Sequence, residues 1–362
     1  MNNWWIIYGF ILLVSLVLAA GFSWGWRRFA LNIGFTDKPA SEGHKRHEKV
    51  TPVAGGVGMI GAWLLTLVSG FFGAMLLKSH LSGEMTEQTA NLAEMLPRLG
   101  VIVGGALLLG LVGLADDRKA MSAKVKFSAQ FAVAAFVALY GVRIELFISY
   151  PVITWGLTVF WILFIVNAVN FFDNMDGLAG GVAAIASFTF LLVAGFRGQY
   201  YVAALSASVC GVCVGFLIFN WPPASLFMGD CGSHFLGFIL AVLGAMTTFY
   251  VTGETPTYAP LAIPLLVLAL PIFDTFAVVI IRLLLREPVY VGDHRHISHR
   301  FTQLGLSRRC SVILIHLLGL TISAGALTLL WLPPLGALAV FCQVFFLFTL
   351  ISILHIKGKK DV

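Results

Sequence analysis

Long apolar segments alternate with short polar segments along the whole chain. Segments close to the 17 to 25 residues that cross the hydrocarbon core of a bilayer as a helix lie at 4–26, 53–77, 98–115, 127–142, 151–169, 179–195, 201–220, 235–251, 260–281, 311–331 and 335–355. This pattern predicts an all-α, polytopic integral membrane protein with about 11 transmembrane helices. No polar segment is long enough to fold alone, so we expect a single membrane-embedded domain over residues 1–362.

The composition agrees with this pattern. Hydrophobic residues make up 59% of the 362 residues and charged residues only 11%. An ordinary soluble core could not bury so much apolar surface, so the soluble globular class is excluded.

The basic residues predict how the chain is oriented in the membrane. The first apolar segment is preceded by no Lys or Arg and followed by Arg27 and Arg28, the reverse of a signal peptide, so we interpret it as a retained helix with its N-terminus outside. Of the 23 Lys and Arg residues, 19 then fall on the predicted cytoplasmic side, with the C-terminus. This asymmetry follows the positive-inside rule, and it accounts for the net charge of +6 without a nucleic-acid partner.

Polar chemistry is concentrated on the predicted cytoplasmic loops at 27–52, 116–126, 167–178, 221–234 and 282–309. Polar groups gathered at one membrane face indicate a single site that faces one compartment.

Five carboxylates follow or precede apolar segments at this face: Asp116, Asp117, Asp173, Asp176 and Asp230. A lone carboxylate at a helix end is usually only solvated, but five at one depth repel each other unless a cation neutralises them. Oxygen ligands favour Mg²⁺, or Mn²⁺, over Zn²⁺. Asn167 and Asn170 add amide oxygens near Asp173, so the sequence predicts a site for a hard divalent cation.

Basic residues and histidines accompany the acids. The stretch GDHRHISHRFTQLGLSRR carries Arg295, His296, His299 and Arg300; HKRHEK carries Lys45; Lys124 and Lys126 follow Asp117. Three histidines could bind zinc, but neighbouring arginines make a poor cation site, whereas Arg and imidazolium suit phosphate oxygens. The positive-inside rule alone would supply the Lys and Arg residues but not the histidines.

The carboxylates would bind a metal ion, and the basic side chains would bind phosphate. Together they predict a site for a magnesium-bound polyphosphate. Its position at the lipid boundary indicates that one substrate is a lipid. Asp274, two turns inside a predicted helix, either supports this site or anchors helix packing, and we favour packing.

Five motifs in this order, LADDRKAMSAKVK, NAVNFFDNMDGLAGG, FMGDCGSHFLG, PIFDT and HRHISHR, resemble those of the polyprenyl-phosphate N-acetylhexosamine-1-phosphate transferases, which include the muramyl-pentapeptide translocase. The resemblance covers nearly the whole chain. It implies transfer of a sugar 1-phosphate from a UDP-sugar to undecaprenyl phosphate with release of UMP, at the cytoplasmic face of a bacterial inner membrane. Whether the protein is a monomer or a homodimer is left open.

The resemblance also implies residue roles. Asp116 and Asp117 match the acidic pair assigned to the lipid phosphate, and Asp173 and Asp176 match the motif near metal and uridine; we expect these four to be catalytic. Asn170 and Asp230 match the Mg²⁺ positions. We expect the substrates to be bound by Lys45, Lys124, Lys126, Asn167, Arg295, His296, His299 and Arg300, of which Lys124, Lys126, His296 and His299 match family positions.

Two positions depart from the family motifs. Asn174 replaces the first glycine of DGxDGL, and Ser298 replaces one imidazole of the HIHH motif of common-antigen-type enzymes. The triple-histidine run of the translocase is absent, which favours N-acetylglucosamine, a related N-acetylhexosamine or a 6-deoxy relative as the donor sugar.

Other functions remain as alternatives. A different UDP-sugar donor would keep the same chemistry. An ion-coupled transporter would carry inverted repeats and polar residues at mid-membrane, neither of which we find in the sequence, and a non-catalytic scaffold would have lost acidic motif residues. Direct attack by the lipid phosphate and a covalent aspartyl-phosphate route are both compatible with the sequence.

Overall fold

The computed structural model describes residues 4–37, 50–77, 92–144, 148, 150–288 and 295–357. Within them the α-helices are α1 (Trp4–Asn32), α2 (Gly56–Leu77), α3 (Leu92–Arg118), α4 (Ala123–Tyr140), α5 (Pro151–Phe172), α6 (Leu178–Phe196), α7 (Tyr200–Asn220), α8 (Gly229–Met246), α9 (Ile263–Val267), α10 (Ala269–Leu285), α11 (Ile297–Gln303), α12 (Arg308–Thr328) and α13 (Pro334–Lys357). A 3₁₀ helix (Ala259–Ala262) precedes α9, and two short strands, β1 (Thr36–Asp37) and β2 (Thr51–Pro52), pair antiparallel.

Ten of these helices are long and apolar enough to cross a membrane, or 11 when the bent segment that contains α9 and α10 is counted as one span. The predicted all-α, polytopic class is therefore confirmed. The predicted orientation of the two termini stays a prediction.

The prediction of one continuous helix at 260–281 is wrong. The chain bends by 69° between Ala259–Val267 and Ala269–Leu285. Pro271 lies in the first turn of α10, where it has no N–H to bond the Val267 carbonyl and its ring would clash with that carbonyl. The helix therefore ends before Leu268 and restarts in a new direction.

The boundaries of the predicted loops also differ: α5, for example, continues to Phe172, so Asn167 and Asn170 lie in a helix. Helix α3 continues to Arg118 and α8 begins at Gly229, so Asp116, Asp117 and Asp230 lie in helices and not in the predicted loops 116–126 and 221–234. The early start of α8 is explained by the Asp117 side chain of α3. It accepts hydrogen bonds from the Asp230 and Cys231 amides, which have no partner within their own helix.

Glycines let three helices meet closely below the polar face. A Cβ on Gly113 of α3 would lie 2.2 Å from the Asp230 carbonyl oxygen, and one on Gly56 of α2 would lie 2.1 Å from the Gly232 amide nitrogen. Small residues allow this kind of backbone contact between membrane helices. The contacts fix the start of α8 against α2 and α3.

Backbone hydrogen bonds join the strands and the segment before α8. Phe227 N donates to Pro52 O at 2.9 Å, Gly55 N to Phe227 O at 2.9 Å, and Gly56 N to Met228 O at 3.1 Å. We call residues 51–56 and 225–230 together the backbone wall, because main-chain groups hold it together.

Candidate active site

The helix ends at one face of the bundle surround a cavity of about 1600 Å³. Residues from α1, α3, α5, α8, α11 and α12 line it, together with the backbone wall and the loop after α5. Six of the predicted site residues lie on its surface: Asp117, Asn170, Asp173, Asp176, Asp230 and His299. The sequence motifs therefore converge on one place, as their common membrane depth indicates.

Asp117 caps helix α8. Its Oδ1 accepts a hydrogen bond from the Asp230 amide at 2.8 Å, and its Oδ2 accepts one from the Cys231 amide at 3.1 Å. Gly229 adopts φ +72°, and a Cβ there would lie 2.6 Å from Asp117 Oδ2, so only glycine fits without strain. Both oxygens of Asp117 are thus engaged in holding the residue that carries the Asp230 side chain.

Lys126 of α4 connects Asp116 and Asp230. Its ammonium group lies 3.0 Å from Asp116 Oδ2 and also forms an ion pair with Asp230 Oδ2. Asp116 Oδ1 accepts from the Met121 amide at 2.5 Å. The adjacent acids of the DD motif therefore have different partners: Asp116 holds Lys126, and Asp117 holds the start of α8.

Asn170 completes the surroundings of Asp230. Its Nδ2 donates to Asp230 Oδ1 at 2.9 Å and to Ser233 Oγ at 2.8 Å. The Asp230 carboxylate therefore lies between a cation and an amide at the edge of the cavity, with a side-chain exposure of 30%.

The turn at residues 173–177, which we call the acidic turn, follows α5. Asp176 Oδ2 accepts from the Ala224 amide at 2.9 Å, and the Gly177 amide donates to Asn220 Oδ1 at 2.9 Å, so the turn is tied to the loop after α7. Burial, followed by the negative charges of Asp230, Asp117 and Asp176, raises the pKa of Asp173 to about 8. Burial and the neighbouring negative charges both disfavour the ionised form of Asp173.

The donor set of this region suits a hard divalent cation. Asp173, Asp176 and Asp230 offer carboxylate oxygens, and Asn170 has an amide oxygen that no hydrogen bond described here uses. Among the residues that the structure describes, no group of three His, Cys, Asp or Glu side chains forms a preassembled metal site. Oxygen atoms of a bound phosphate would therefore be needed to complete the coordination of Mg²⁺.

A buried hydrogen-bond chain lies beneath the cavity. Asn167 Nδ2 donates to Gln130 Oε1 at 2.8 Å, and Gln130 Nε2 lies 2.8 Å from His234 Nε2. His234 Nδ1 lies 2.6 Å from the Asp230 carbonyl oxygen. The Gln130 amide donates to Nε2, so the proton of a neutral His234 is on Nδ1. Asn167 thus contacts this chain and does not line the cavity.

The predicted histidine motif occupies α11 and the residue before it. His296 Nδ1 lies 2.7 Å from Asp274 Oδ2, and the Ile297 amide donates to Asp274 Oδ1 at 2.8 Å. Asp274 therefore contacts the histidine motif, which supports the interpretation that it serves the site and not the helix packing favoured from the sequence. His296 is 6% exposed and does not line the cavity, whereas His299 does.

Three other predicted substrate-binding residues, Arg295, Arg300 and Lys124, lie off the cavity surface. Arg295 forms a two-point ion pair with Glu287 at 2.6 and 3.0 Å. Arg300 is 9% exposed and donates to Gln303 Oε1 at 3.0 Å. Lys124 is exposed. Lys45 lies outside the described residues.

Sequence reasoning missed two cations on the cavity surface. Arg27 of α1 and Arg308 of α12 both line it, and neither forms a hydrogen bond or an ion pair with the residues that the structure describes. Both had been counted only as positive-inside residues. Gln130 and His234 were also missed, although a polar residue within an apolar segment is itself a signal.

Comparisons with known proteins identify the family. The sequence pattern of glycosyl transferase family 4 matches residues 99–248. The chain is 33% identical over 343 residues to a probable undecaprenyl-phosphate N-acetylglucosaminyl 1-phosphate transferase of Bacillus subtilis, covering 92% of this chain and 86% of the relative.

More distant relatives have related names. A decaprenyl-phosphate N-acetylglucosaminephosphotransferase of Mycobacterium tuberculosis is 30% identical over 81% of this chain and 76% of its own length. An undecaprenyl-phosphate alpha-N-acetylglucosaminyl 1-phosphate transferase of Escherichia coli is 25% identical over 89% of this chain and 84% of its own length. The chain therefore belongs to glycosyl transferase family 4, among its polyprenyl-phosphate sugar-1-phosphate transferases.

Proposed function

We propose that the protein transfers N-acetylglucosamine 1-phosphate from UDP-N-acetylglucosamine to undecaprenyl phosphate, at the cytoplasmic face of a bacterial inner membrane. The products are an undecaprenyl-pyrophosphate-linked sugar and UMP. The names of the Bacillus and Escherichia relatives support this choice of sugar and lipid. No relative reported above is named as a transporter.

One observation carries the proposal: acids from three separate chain segments line the same cavity at the membrane face as Arg27 and Arg308. Phosphoryl transfer requires the protein to position two phosphates and to neutralise the charge on their oxygens. Acids that attract a cation and arginines that bind phosphate supply both functions within one cavity.

In the proposed reaction an oxygen of the lipid phosphate attacks the β-phosphorus of the donor, the phosphorus that bears the sugar. The bond between this phosphorus and the bridging oxygen breaks, and the bridging oxygen leaves with UMP. A phosphate monoester has a second pKa of about 6, so the attacking oxygen is already largely ionised near neutral pH. A strong general base is not required.

The residues then have the following proposed roles. Asp117 orients the start of α8, and Lys126 holds the Asp230 carboxylate at the cavity edge. Arg27, His299 and Arg308 bind the phosphates of the donor. Asp173, Asp230 and the Asn170 amide oxygen would hold Mg²⁺, which neutralises charge on the donor pyrophosphate when bound.

The test uses protein purified in detergent with undecaprenyl phosphate, Mg²⁺ and a panel of UDP-sugars. Release of UMP is followed for the wild type, for Asp230→Ala, and for Glu254→Ala as a control. Glu254 follows the far end of α8 and its side chain is 69% exposed. We expect UMP release from UDP-N-acetylglucosamine that depends on the lipid, the metal and Asp230 but not on Glu254.

Each other outcome is informative. Turnover with a different UDP-sugar would replace the donor and keep the reaction. UDP release in place of UMP would indicate ordinary glycosyl transfer, and no turnover with any donor would reject the proposed function.

A further inference from the structure

A hydrogen bond joins the acidic turn to the histidine helix. Ser298 Oγ donates to Asn174 Oδ1 at 2.5 Å, and Asn174 Nδ2 donates to the Phe171 carbonyl oxygen at 3.0 Å. Ser298 is completely buried. The Asn174 amide is therefore occupied on both sides and connects the end of α5 to the first turn of α11.

The two partners are the two positions at which this chain departs from the family motifs. A glycine at 174 would offer no side-chain acceptor, so Ser298 and Asn174 form this contact only together. Asn174 does not have a positive φ, so its replacement of glycine causes no backbone strain. The two departures are thus a single structural feature.

The contact spans two sides of the cavity. Asn174 lies between Asp173 and Asp176, and it lines the cavity itself. Ser298 immediately precedes His299, which lines the cavity from α11. Any change in the Asn174–Ser298 distance would move His299 relative to the carboxylates.

Helix α11 is held at its N-terminus by a second contact. It is only seven residues long. Its N-terminus is held by Asp274, which bonds His296 and the Ile297 amide from the side of α10. Asp274 fixes where the helix starts, whereas Ser298 fixes how close it lies to the acidic turn.

We propose that Asn174 and Ser298 are positioning residues for the nucleotide donor: their hydrogen bond sets His299 at the distance from the acidic turn that the donor diphosphate requires. The inference rests on the proposed function. Both side chains are engaged with each other and with Phe171, so they act through His299 and the acidic turn.

The test compares Ser298→Ala, Asn174→Ala and the double variant, with Ser298→Thr as the conservative variant. Ser187→Ala is the matched control, because Ser187 is equally buried and bonds carbonyls of its own helix at 2.7 and 3.1 Å, but does not line the cavity. For each protein we measure kcat, KM for the UDP-sugar, KM for the lipid, the Mg²⁺ dependence and the Kd for UMP.

We expect each alanine variant to raise the donor KM and the UMP Kd about fivefold to tenfold, the effect of one buried hydrogen bond. The lipid KM and the Mg²⁺ dependence stay as in the wild type. The double variant has no larger effect than Asn174→Ala alone, because Asn174→Ala has already removed the contact that Ser298→Ala removes. Ser298→Thr retains the hydroxyl and the wild-type donor KM.

Additive effects in the double variant, or equal losses for donor, lipid and Mg²⁺, would overturn the inference, since either would indicate a general structural role. If Ser298→Ala does not fold, Asn174→Gly tests the same bond from the turn. Normal wild-type turnover with unchanged Ser298→Ala kinetics would reject the positioning role alone. A wild type without UMP release would reject the proposed function and the donor role together.

Discussion

Asp117 and Asp230 are joined through the backbone: the Asp117 carboxylate accepts the Asp230 amide at 2.8 Å, while the Asp230 side chain points to the cavity and to Lys126. An acid that caps a helix can position its neighbour without taking part in proton transfer. The adjacent acids of the DD motif thus have structural roles that their contacts explain, Asp117 at the start of α8 and Asp116 at Lys126.

Asp117→Asn should lower kcat at least tenfold and leave the shape of its pH profile unchanged. The substituted side chain would still accept the Asp230 amide with its oxygen, but its NH₂ group would face the Cys231 N–H, so one cap bond is lost. Loss of a cap lowers the free energy of unfolding by about 1 kcal/mol. UMP release from pH 6 to 9 and thermal unfolding check this. A lost acid or alkaline limb would instead assign Asp117 to proton transfer.

Lys126→Met should lower turnover at least a hundredfold, because it leaves Asp116 and Asp230 facing each other without a cation. Lys124→Met is the control. Lys124 carries the same charge, lies two residues before Lys126 and is exposed, so its replacement should change turnover less than twofold. Adding Asp116→Asn to Lys126→Met should recover thermal stability. Equal effects of the two lysine variants would show that only overall charge matters.

Gly113→Ala should destabilise the protein by about 1–3 kcal/mol, since the new methyl group would overlap the Asp230 carbonyl in a packed region. The same substitution at Gly104, in the same helix, meets nothing within 4 Å. Thermal unfolding and UMP release of the two variants provide the comparison. A tolerated methyl group at 113 would mean that the start of α8 can move without loss of function.

Arg27→Ala should raise the donor KM about tenfold, while Arg28→Ala should leave it unchanged. Arg27 lines the cavity, but the Arg28 guanidinium lies over the Trp24 ring, 3.9 Å from its centroid. A phosphate contact also implies that the donor KM of the wild type rises with salt more steeply than that of Arg27→Ala. Identical salt slopes would remove Arg27 from the donor site.

Cation binding should strengthen as the pH rises towards 8. Asp173 has a pKa of about 8 without a cation, so below pH 8 its proton competes with the metal. At pH 7 the affinity should be about tenfold below its plateau, and about one proton should be released per cation bound. Mn²⁺ titrations followed by electron paramagnetic resonance measure this. In Asp173→Asn the pH dependence should disappear.

The lengths of the apolar segments predicted the helices and the membrane depth of each motif, and that depth correctly grouped Asp173, Asp176 and Asp230 with His299. Depth does not say which helices are neighbours, because lateral packing depends on small residues such as Gly113 that carry no chemical signal. For this reason neither the capping role of Asp117 nor the partners of Lys126 could be read from the sequence.

Arg295 and Arg300 illustrate the second limit. An arginine in a motif looks the same whether it faces a ligand or a protein partner, and here Glu287 and Gln303 are the partners. Asn174 and Ser298 illustrate the converse: each looked like the loss of a motif residue, and their contact could not be seen across the 124 positions that separate them.

The backbone wall has a consequence for how the site can diverge. Its bonds run between main-chain atoms of Gly55, Gly56, Phe227 and Met228, so none of them depends on a side-chain donor or acceptor. The opposite side is held by side chains, through Ser298 on Asn174 and Arg309 on the Pro222 carbonyl. One half of the cavity is thus held by main-chain bonds that tolerate no added side chain at Gly56, whereas the other half can change residue by residue to accept a new sugar nucleotide.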